Sequence, residues 1–273
     1  MLDNPAVVKN DIVNWIKRYF EENGDGCSAV VGVSGGKDSS VVAALCVEAL
    51  GKDRVIPVLM PDGEQADIED SWRIVDHLGL RDRAVLADID QITQAFYDTL
   101  CDSIGGISAQ AMINIPPRAR MTTLYAIAQT YPVGGGRVAN TCNMSEDFIG
   151  YSTKYGDSAG DFAPIADFVV SEIKQLGYEL GLPEDLIEKI PSDGLCGKSD
   201  EENLGFTYDQ VEAYIGAGTC GDPVADKMIA ARHNANLHKI KRMPRFYMPQ
   251  TTDYSEWTDE MKFAFQLHME NRV

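Results

Sequence analysis

Apolar positions along this chain recur at two different spacings, and the places where one gives way to the other outline its elements. After Pro5, the residues Val8, Ile12, Trp15, Ile16 and Tyr19 repeat at the spacing of one helix face, and the pattern stops at Asn23-Gly24-Asp25-Gly26. The β-branched run Ala29-Val30-Val31-Gly32-Val33 reads as a buried strand. It breaks into Ser34-Gly35-Gly36 and resumes as an Ala/Leu-rich helix from 38 to about 50, stopped by Gly51. A second strand over 55–60 runs into Pro61-Asp62-Gly63. An amphipathic helix covers 67–78, a short strand lies around 84–87, and a helix follows near 92–100.

The pattern is weaker up to 113. A long helix is then predicted over 114–131, with Pro116 and Pro117 suited to its entry because the first N–H groups of a helix have no partner to lose. Gly134-Gly135-Gly136 turns into a fourth strand over 137–141. Helices are expected over 171–180, interrupted by Gly177, and over 208–215 behind a Thr207/Gln210 capping box. A last helix starts at Asp222-Pro223 and closes on a basic cluster that includes His238 and Lys239. Such a cluster either complements the helix dipole or binds phosphate, and both readings stay open at this point. Between these elements, residues 192–206 begin glycine-rich and polar without periodicity and read as a mobile lid.

Strands alternating with helices imply an α/β fold, a doubly wound parallel sheet flanked by helices, with ligands at the carboxyl ends of the strands. At 273 residues and 44% hydrophobic content the chain is expected to form a single domain over 1–273. A separate glutamine-hydrolysing domain would need roughly 200 residues more. A formal net charge of −18 argues against a protein that wraps nucleic acid, which needs a broad basic surface. The six cysteines, Cys27, Cys46, Cys101, Cys142, Cys196 and Cys220, form no C-x-x-C pair, so free thiols are expected. The first residues lack the basic and apolar regions of a signal peptide and no apolar run reaches membrane length, so a cytoplasmic protein with no membrane association is expected.

The chemistry concentrates in two stretches. In Gly32-Val33-Ser34-Gly35-Gly36-Lys37-Asp38-Ser39, glycines let backbone N–H groups turn inward, two hydroxyls add donors, and a helix N-terminus adds partial positive charge. These are the parts of a phosphate cradle. It is not a Walker A loop, since no Gly-Lys-Ser/Thr follows at the required spacing. A carboxylate inside an anion cradle repels phosphate unless a hard cation intervenes, so Asp38 points to Mg²⁺-pyrophosphate. The second stretch follows the fourth strand: Thr141-Cys142-Asn143-Met144-Ser145-Glu146, then Thr153-Lys154-Tyr155-Gly156-Asp157 and Asp161, poor core composition and good site composition. Met60, at the end of the second strand, is expected near an adenine. Arg118 and Arg120, two apart on a helix, must point to different faces.

The Ser-Gly-Gly-Lys-Asp-Ser run resembles the signature of ATP pyrophosphatases, shared by GMP synthetases, argininosuccinate synthetases and tRNA-thiolating enzymes. Asn114-Ile115-x-x-Arg118, Thr141 with Glu146, Lys154-Tyr155-Gly156-Asp157 with Asp161, Asp200-Glu201-x-x-Leu204-Gly205 and His238-Lys239 narrow it: together they resemble ammonia-dependent NAD synthetases. That resemblance implies the adenine nucleotide alpha hydrolase-like fold and ATP-dependent amidation of deamido-NAD through an acyl-adenylate. It implies that Gly32, Val33, Ser34, Gly35, Gly36, Lys37, Asp38 and Ser39 hold ATP phosphates, with Met60, Thr141 and Ser192 also on ATP. Asp38 and Glu146 would hold Mg²⁺, and Arg118, Lys154, Asp161, His238 and Lys239 deamido-NAD. Asp157 is placed to take a proton from ammonium, and a homodimer completes the dinucleotide site.

The chain departs from the family at one position: Val170 stands where many relatives have a lysine for ATP, with Lys198 and Lys37 as the candidate substitutes. A rival adenylating enzyme that modifies tRNA fits the acidic charge and the absence of C-x-x-C poorly. A non-enzymatic ATP sensor would have no use for Lys154, Asp157 or the lid.

Overall fold

Side chains of a strand alternate between two faces, and here both faces are buried, which is why the strands are continuous apolar runs. In β1 (Ser28–Gly32), Ala29 and Val31 enter one hydrophobic cluster and Val30 enters another. In β2 (Val55–Leu59), Val55 and Leu59 join the first cluster, and Ile56 and Val58 the second. With β3 (Val85–Leu86) and β4 (Gly136–Val138) they form a sheet of order β3-β2-β1-β4, every neighbouring pair parallel. The chain moves one way from β1 and later returns to its other side, so a topological switch point lies between β1 and β4, where ligands bind in open α/β sheets.

The computed structural model describes residues 1–130, 135–189, 200–241, 243–244 and 257–263. It divides into two units, Met1–Ile240 and Lys241–Val273. In the second, residues 259–263 are helical; everything else below concerns the first.

One face of the sheet is covered by α1 (Pro5–Asn23), α2 (Lys37–Leu50), α3 (Ile68–His77) and, further along the chain, α7 (Val170–Glu179), through Ile16, Phe20, Leu45, Ile74 and Ile173. The other face receives α5 (Ala109–Thr130), with Leu124, Tyr125 and Ala128 against Val30 and Val138, and α4 (Asp90–Ile104) packs on α5. A separate hydrophobic cluster joins α6 (Met144–Ile149), α9 (Asp200–Leu204), α10 (Tyr208–Ala217) and α11 (Pro223–Ile240), with the short α8 (Glu184–Ile187) following α7. The Thr207/Gln210 capping box forms as read.

Two expectations change. The helix predicted from 114 begins at Ala109 and carries Pro116 and Pro117 in its interior, not at its entry. Pro116 cannot donate to the carbonyl of Met112, four residues back, and that freed oxygen instead accepts the Tyr97 hydroxyl of α4 at 3.2 Å. Gly177 does not interrupt α7: it lies inside the helix, where a Cβ would come within 3.1 Å of Ile187. Of the segment read as a lid, 192–199 lie outside the described residues. The rest forms α9 and its turn, with Leu204 and Phe206 buried. Among the described residues no helix is long and apolar enough to cross a membrane, and Cys27, Cys46, Cys101, Cys142 and Cys220 are free thiols.

Candidate active site

The loop after β1 wraps onto the N-terminus of α2. Ser34 N–H donates to Ser39 Oγ at 3.2 Å, Gly36 N–H to Ser34 Oγ at 3.3 Å, and the hydroxyls of Ser39 and Ser40 donate to Gly36 O at 3.1 and 2.7 Å. Gly35 takes φ +80°, and a Cβ there would lie 2.7 Å from Asp70 Cβ and from Ser71 N, so only glycine lets the loop sit against α3. The result is a concave turn of small residues at the carboxyl end of the central strand.

Lys37 is buried, and its Nζ lies 3.0 Å from Asp38 Oδ2. Asp38 Oδ1 accepts Asn143 Nδ2 at 3.0 Å. The other end of that amide, Oδ1, caps α6 by accepting Glu146 N–H at 3.0 Å. One asparagine thereby ties the cradle after β1 to the loop after β4 across the switch point. Desolvation alone would pull the Lys37 ammonium pKa down, but Asp38, Glu146 and Asp200 outweigh it and raise it. The Glu146 carboxyl is pushed well above the usual range, first by burial and then by Asp38, with Asp200 adding to it. Three carboxyl groups thus face a single ammonium.

That donor set fits a hard divalent cation. Among the described residues no group of three or more His, Cys, Asp or Glu is arranged to hold a metal by protein ligands alone. Mg²⁺, however, characteristically takes one or two carboxylates plus phosphate oxygens of a substrate. Asp38 and Glu146, carboxylates beside the turn of small residues after β1, match the protein's share of such a site.

The loop after β4 is built on side-chain to backbone bonds. Asn140 Nδ2 donates to Asp157 O at 3.2 Å, and Asp157 Oδ1 accepts Thr153 N–H at 2.8 Å. Thr153 Oγ1 donates to Asn114 Oδ1 of α5 at 2.7 Å. Burial raises the Asp157 pKa, opposed by the Thr153 N–H and by the charge of Lys239. Lys239 donates to the carbonyls of Gly150 and Ser152 at 2.7 and 2.9 Å, and Lys154 to His238 O at 2.7 Å. Arg118 is exposed and its Nε donates to Lys154 O at 3.3 Å, so Arg118, Lys154, His238 and Lys239 gather at one loop. The Asp161 oxygens accept Val138 N–H at 2.8 Å and the Tyr125 hydroxyl at 3.2 Å, which holds the end of β4. Thr141 follows β4 and is half-buried. Ser192 and Lys198 lie outside the described residues.

Val170 is 8% exposed and packs in the cluster of α6, α10 and α11, so it brings no charge to this part of the protein. Sequence reasoning gave no role to Asn143 or Tyr208, quoted Asp200 only as part of a family run, and left open which of Arg118 and Arg120 faces a ligand. Asn143 had a local signal, a cap residue three positions before a Glu. Asp200 did not: its carboxylate is reached by the Tyr151 and Tyr208 hydroxyls at 3.4 and 3.5 Å, contacts that only packing creates.

The family model described as NAD synthase matches residues 8–254. Among curated proteins, the NH(3)-dependent NAD(+) synthetase of Thermoplasma acidophilum is 36% identical over 231 residues, which cover 82% of this chain and 92% of that one. Among solved structures, the NMN synthetase from Francisella tularensis superposes with a TM-score of 0.78 at 28% identity, covering 89% of this chain and 99% of that one. The NH3-dependent NAD synthetase from Campylobacter jejuni superposes with a TM-score of 0.71 at 29% identity, covering 90% and 100%.

Proposed function

Since the chain belongs to the NAD synthase family, we propose that it is an ammonia-dependent ligase that amidates deamido-NAD to NAD, cleaving ATP to AMP and pyrophosphate through an acyl-adenylate. The observation that carries this reading is the Asn143–Asp38 hydrogen bond, which joins the turn of small residues after β1 to the segment bearing Glu146 and Asp157. A pyridine carboxylate is a poor acyl donor. Its oxygen first attacks the α-phosphorus; the bond from that phosphorus to the bridging oxygen breaks, and pyrophosphate takes the electron pair into the cradle of Ser34, Gly36 and Ser39. Ammonia then adds to the activated carbonyl, its nitrogen gives up one proton to solvent, and AMP leaves with the pair of the acyl–oxygen bond. Asp157, its pKa raised by burial, takes the proton from ammonium.

Asp38 and Glu146 would hold Mg²⁺, which when bound neutralises charge on both sides of the phosphoryl displacement. Lys37, Met60 and Thr141 serve ATP in this scheme. Arg118, Lys154, His238 and Lys239 serve the dinucleotide, with Asp161 as the support that holds β4 beneath it. The role of Ser192 on ATP rests on the resemblance, and those of the lid and of Lys198, as substitute for the cation missing at Val170, rest on the sequence pattern. A homodimer is part of the proposal, supported by an apolar face on α4 and α5 where Ile92, Phe96, Met112 and Ile113 are 41–51% exposed. The cytoplasm is the proposed compartment, supported by the free thiols.

A second reading is favoured by the Francisella tularensis neighbour: the same chemistry on the mononucleotide, giving NMN. One assay tests both. Purified protein with ATP, Mg²⁺ and ammonium receives either deamido-NAD or nicotinate mononucleotide, and amide product and pyrophosphate are measured together. Equal amounts of NAD and pyrophosphate from deamido-NAD are expected, with glutamine unable to replace ammonium. Product from the mononucleotide alone would transfer the assignment to the second reading, and no product from either would end both.

A further inference from the structure

Two cations are set into the protein at the carboxyl end of the sheet, and their surroundings differ. Lys37 is matched by Asp38 at 3.0 Å with Glu146 and Asp200 nearby, and these carboxyl groups raise its pKa despite burial. Arg120 is not matched. Its Nε donates to Met60 O at 3.0 Å, which leaves both Nη groups of the guanidinium fork without a hydrogen-bond partner among the described residues. No described carboxylate lies within ion-pair distance of it. Burial therefore lowers the pKa of its guanidinium, with Asp62 and Asp157 acting only through space in the opposite sense. Arg120 is part-buried and its Nη groups are not among the buried polar atoms that lack a partner, so the fork is open at this place and suits an anion that arrives later.

The position narrows which anion. Met60 follows β2, next to β1 in a parallel register that pairs Gly32 with Val58. Gly32, at the lip of the cradle, faces Met60 and Leu124, a Cβ there lying 3.3 and 3.6 Å from them. Leu124 is one helical turn after Arg120 on α5, so the guanidinium stands on the same stripe at the mouth of the cradle, within electrostatic reach of Asp157. On the ligase reading above, that is the ground between the ATP phosphates and the ammonia base.

We propose that Arg120 is a catalytic residue whose free guanidinium fork binds the α-phosphoryl oxygens of ATP as the substrate carboxylate displaces pyrophosphate. Fixed by Nε on a backbone carbonyl, the planar fork presents two parallel N–H donors, the geometry that suits a phosphoryl group. Charge develops on those oxygens while the carboxylate–phosphorus bond forms and the bond to the pyrophosphate oxygen breaks; the guanidinium accepts no proton and loses none. Arg120 thus contributes positive charge to a site in which Val170 supplies none.

The test compares wild type with Arg120→Met and Arg120→Lys in deamido-NAD-dependent exchange of labelled pyrophosphate into ATP. Thermal melts with and without ATP and Mg²⁺ are run alongside. For Arg120→Met we expect the exchange kcat to fall about 10²–10³-fold, the scale for removing one preorganised oxyanion donor. The KM for ATP should change little and the ligand-free melting temperature should be retained, since the guanidinium lacks a folded-state partner to lose beyond one carbonyl. Wild-type exchange would overturn the proposal, and so would a rise in KM with kcat kept, which would make Arg120 a holder of the adenine. If Arg120→Met does not fold, Arg120→Lys decides: folded with a depressed kcat supports the assignment, while a wild-type rate or a second folding failure refutes it. If wild-type protein shows no exchange, the ligase reading has failed rather than Arg120. The ATP-induced rise in melting temperature, present in wild type and smaller but not lost in the Met variant, then tests the anion site by itself, and an equal rise in both proteins would refute it.

Discussion

Replacing Asp38 with asparagine should remove pyrophosphate release while the protein still folds, and the size of both effects follows from three contacts. Asp38 Oδ2 is 3.0 Å from Lys37 Nζ, its Oδ1 accepts Asn143 Nδ2 at 3.0 Å, and the side chains of Lys37 and Asp38 are 4% and 17% exposed. Removing one member of a buried ion pair costs about 3–5 kcal/mol when the other charge is left alone. Here it is not left alone: Glu146 and Asp200 also act on Lys37, and the new amide oxygen still accepts a hydrogen bond. The expected cost is therefore that of a weakened charged hydrogen bond, about 1–3 kcal/mol. At roughly 2–4 °C per kcal/mol for a chain of this size, the melt shifts but remains cooperative.

The penalty should also depend on pH. Glu146 has a raised folded-state pKa, so its contribution to stability is full below the ordinary carboxyl value and is lost as pH rises through the raised one. Without the Asp38 charge Glu146 ionises more readily and takes over as partner of Lys37, so the variant should lose less relative to wild type at pH 8 than at pH 5.5. Catalysis has no such substitute, because a neutral amide is a poor Mg²⁺ ligand. A loss of several kcal/mol of charge stabilisation corresponds to at least ~10²-fold in pyrophosphate release. The assay pairs that release, titrated with Mg²⁺, with melts at the two pH values. Full turnover with a normal Mg²⁺ dependence would remove Asp38 from the metal site, and a penalty that grows with pH would show the Glu146 argument to be wrong.

Three further outcomes are expected. Asp157→Asn should spare single-turnover pyrophosphate formation and slow ammonia-dependent NAD formation by about 10²–10⁴-fold, measured by rapid quench; equal loss of both steps would deny it the role of base. Gly35→Ala should cost about 2–5 kcal/mol by denaturant unfolding, from a left-handed φ of +80° plus a Cβ driven to 2.7 Å from Asp70 and Ser71. Gly36→Ala, with 3.4 Å to Ser34 Oγ, should cost about 1 kcal/mol or less, and similar penalties at the two positions would contradict the close-approach argument. Phe96→Glu, at a half-exposed position on α4, should give a folded monomer by sedimentation with reduced dinucleotide turnover; an unchanged dimer, or a monomeric wild type, would remove this face from the proposed interface.

Local order in this molecule is legible along the chain because it is set by neighbours along the chain. The β-branched run before Ser34-Gly35-Gly36 makes β1 and its turn, whatever surrounds them. The spacing of Val8, Ile12 and Ile16 orients α1 before it has anything to pack on. The cradle, its Asp38, and the polar loop after β4 were all visible as composition at strand ends. Tertiary packing decided the rest. The start of α5 at Ala109 depends on the Tyr97 hydroxyl of another helix taking the carbonyl that Pro116 frees. The burial of Lys37 among three carboxyl groups depends on Asn143, 105 residues from the Asp38 it binds, and on Asp200 from a different helix. Sequence spacing puts Arg118 and Arg120 on different faces of α5 without saying which lies inside. The choice is made by the carbonyl of Met60, which lies 60 residues from Arg120 just past the end of β2 and holds one guanidinium part-buried at the carboxyl end of the sheet while the other stays at the surface.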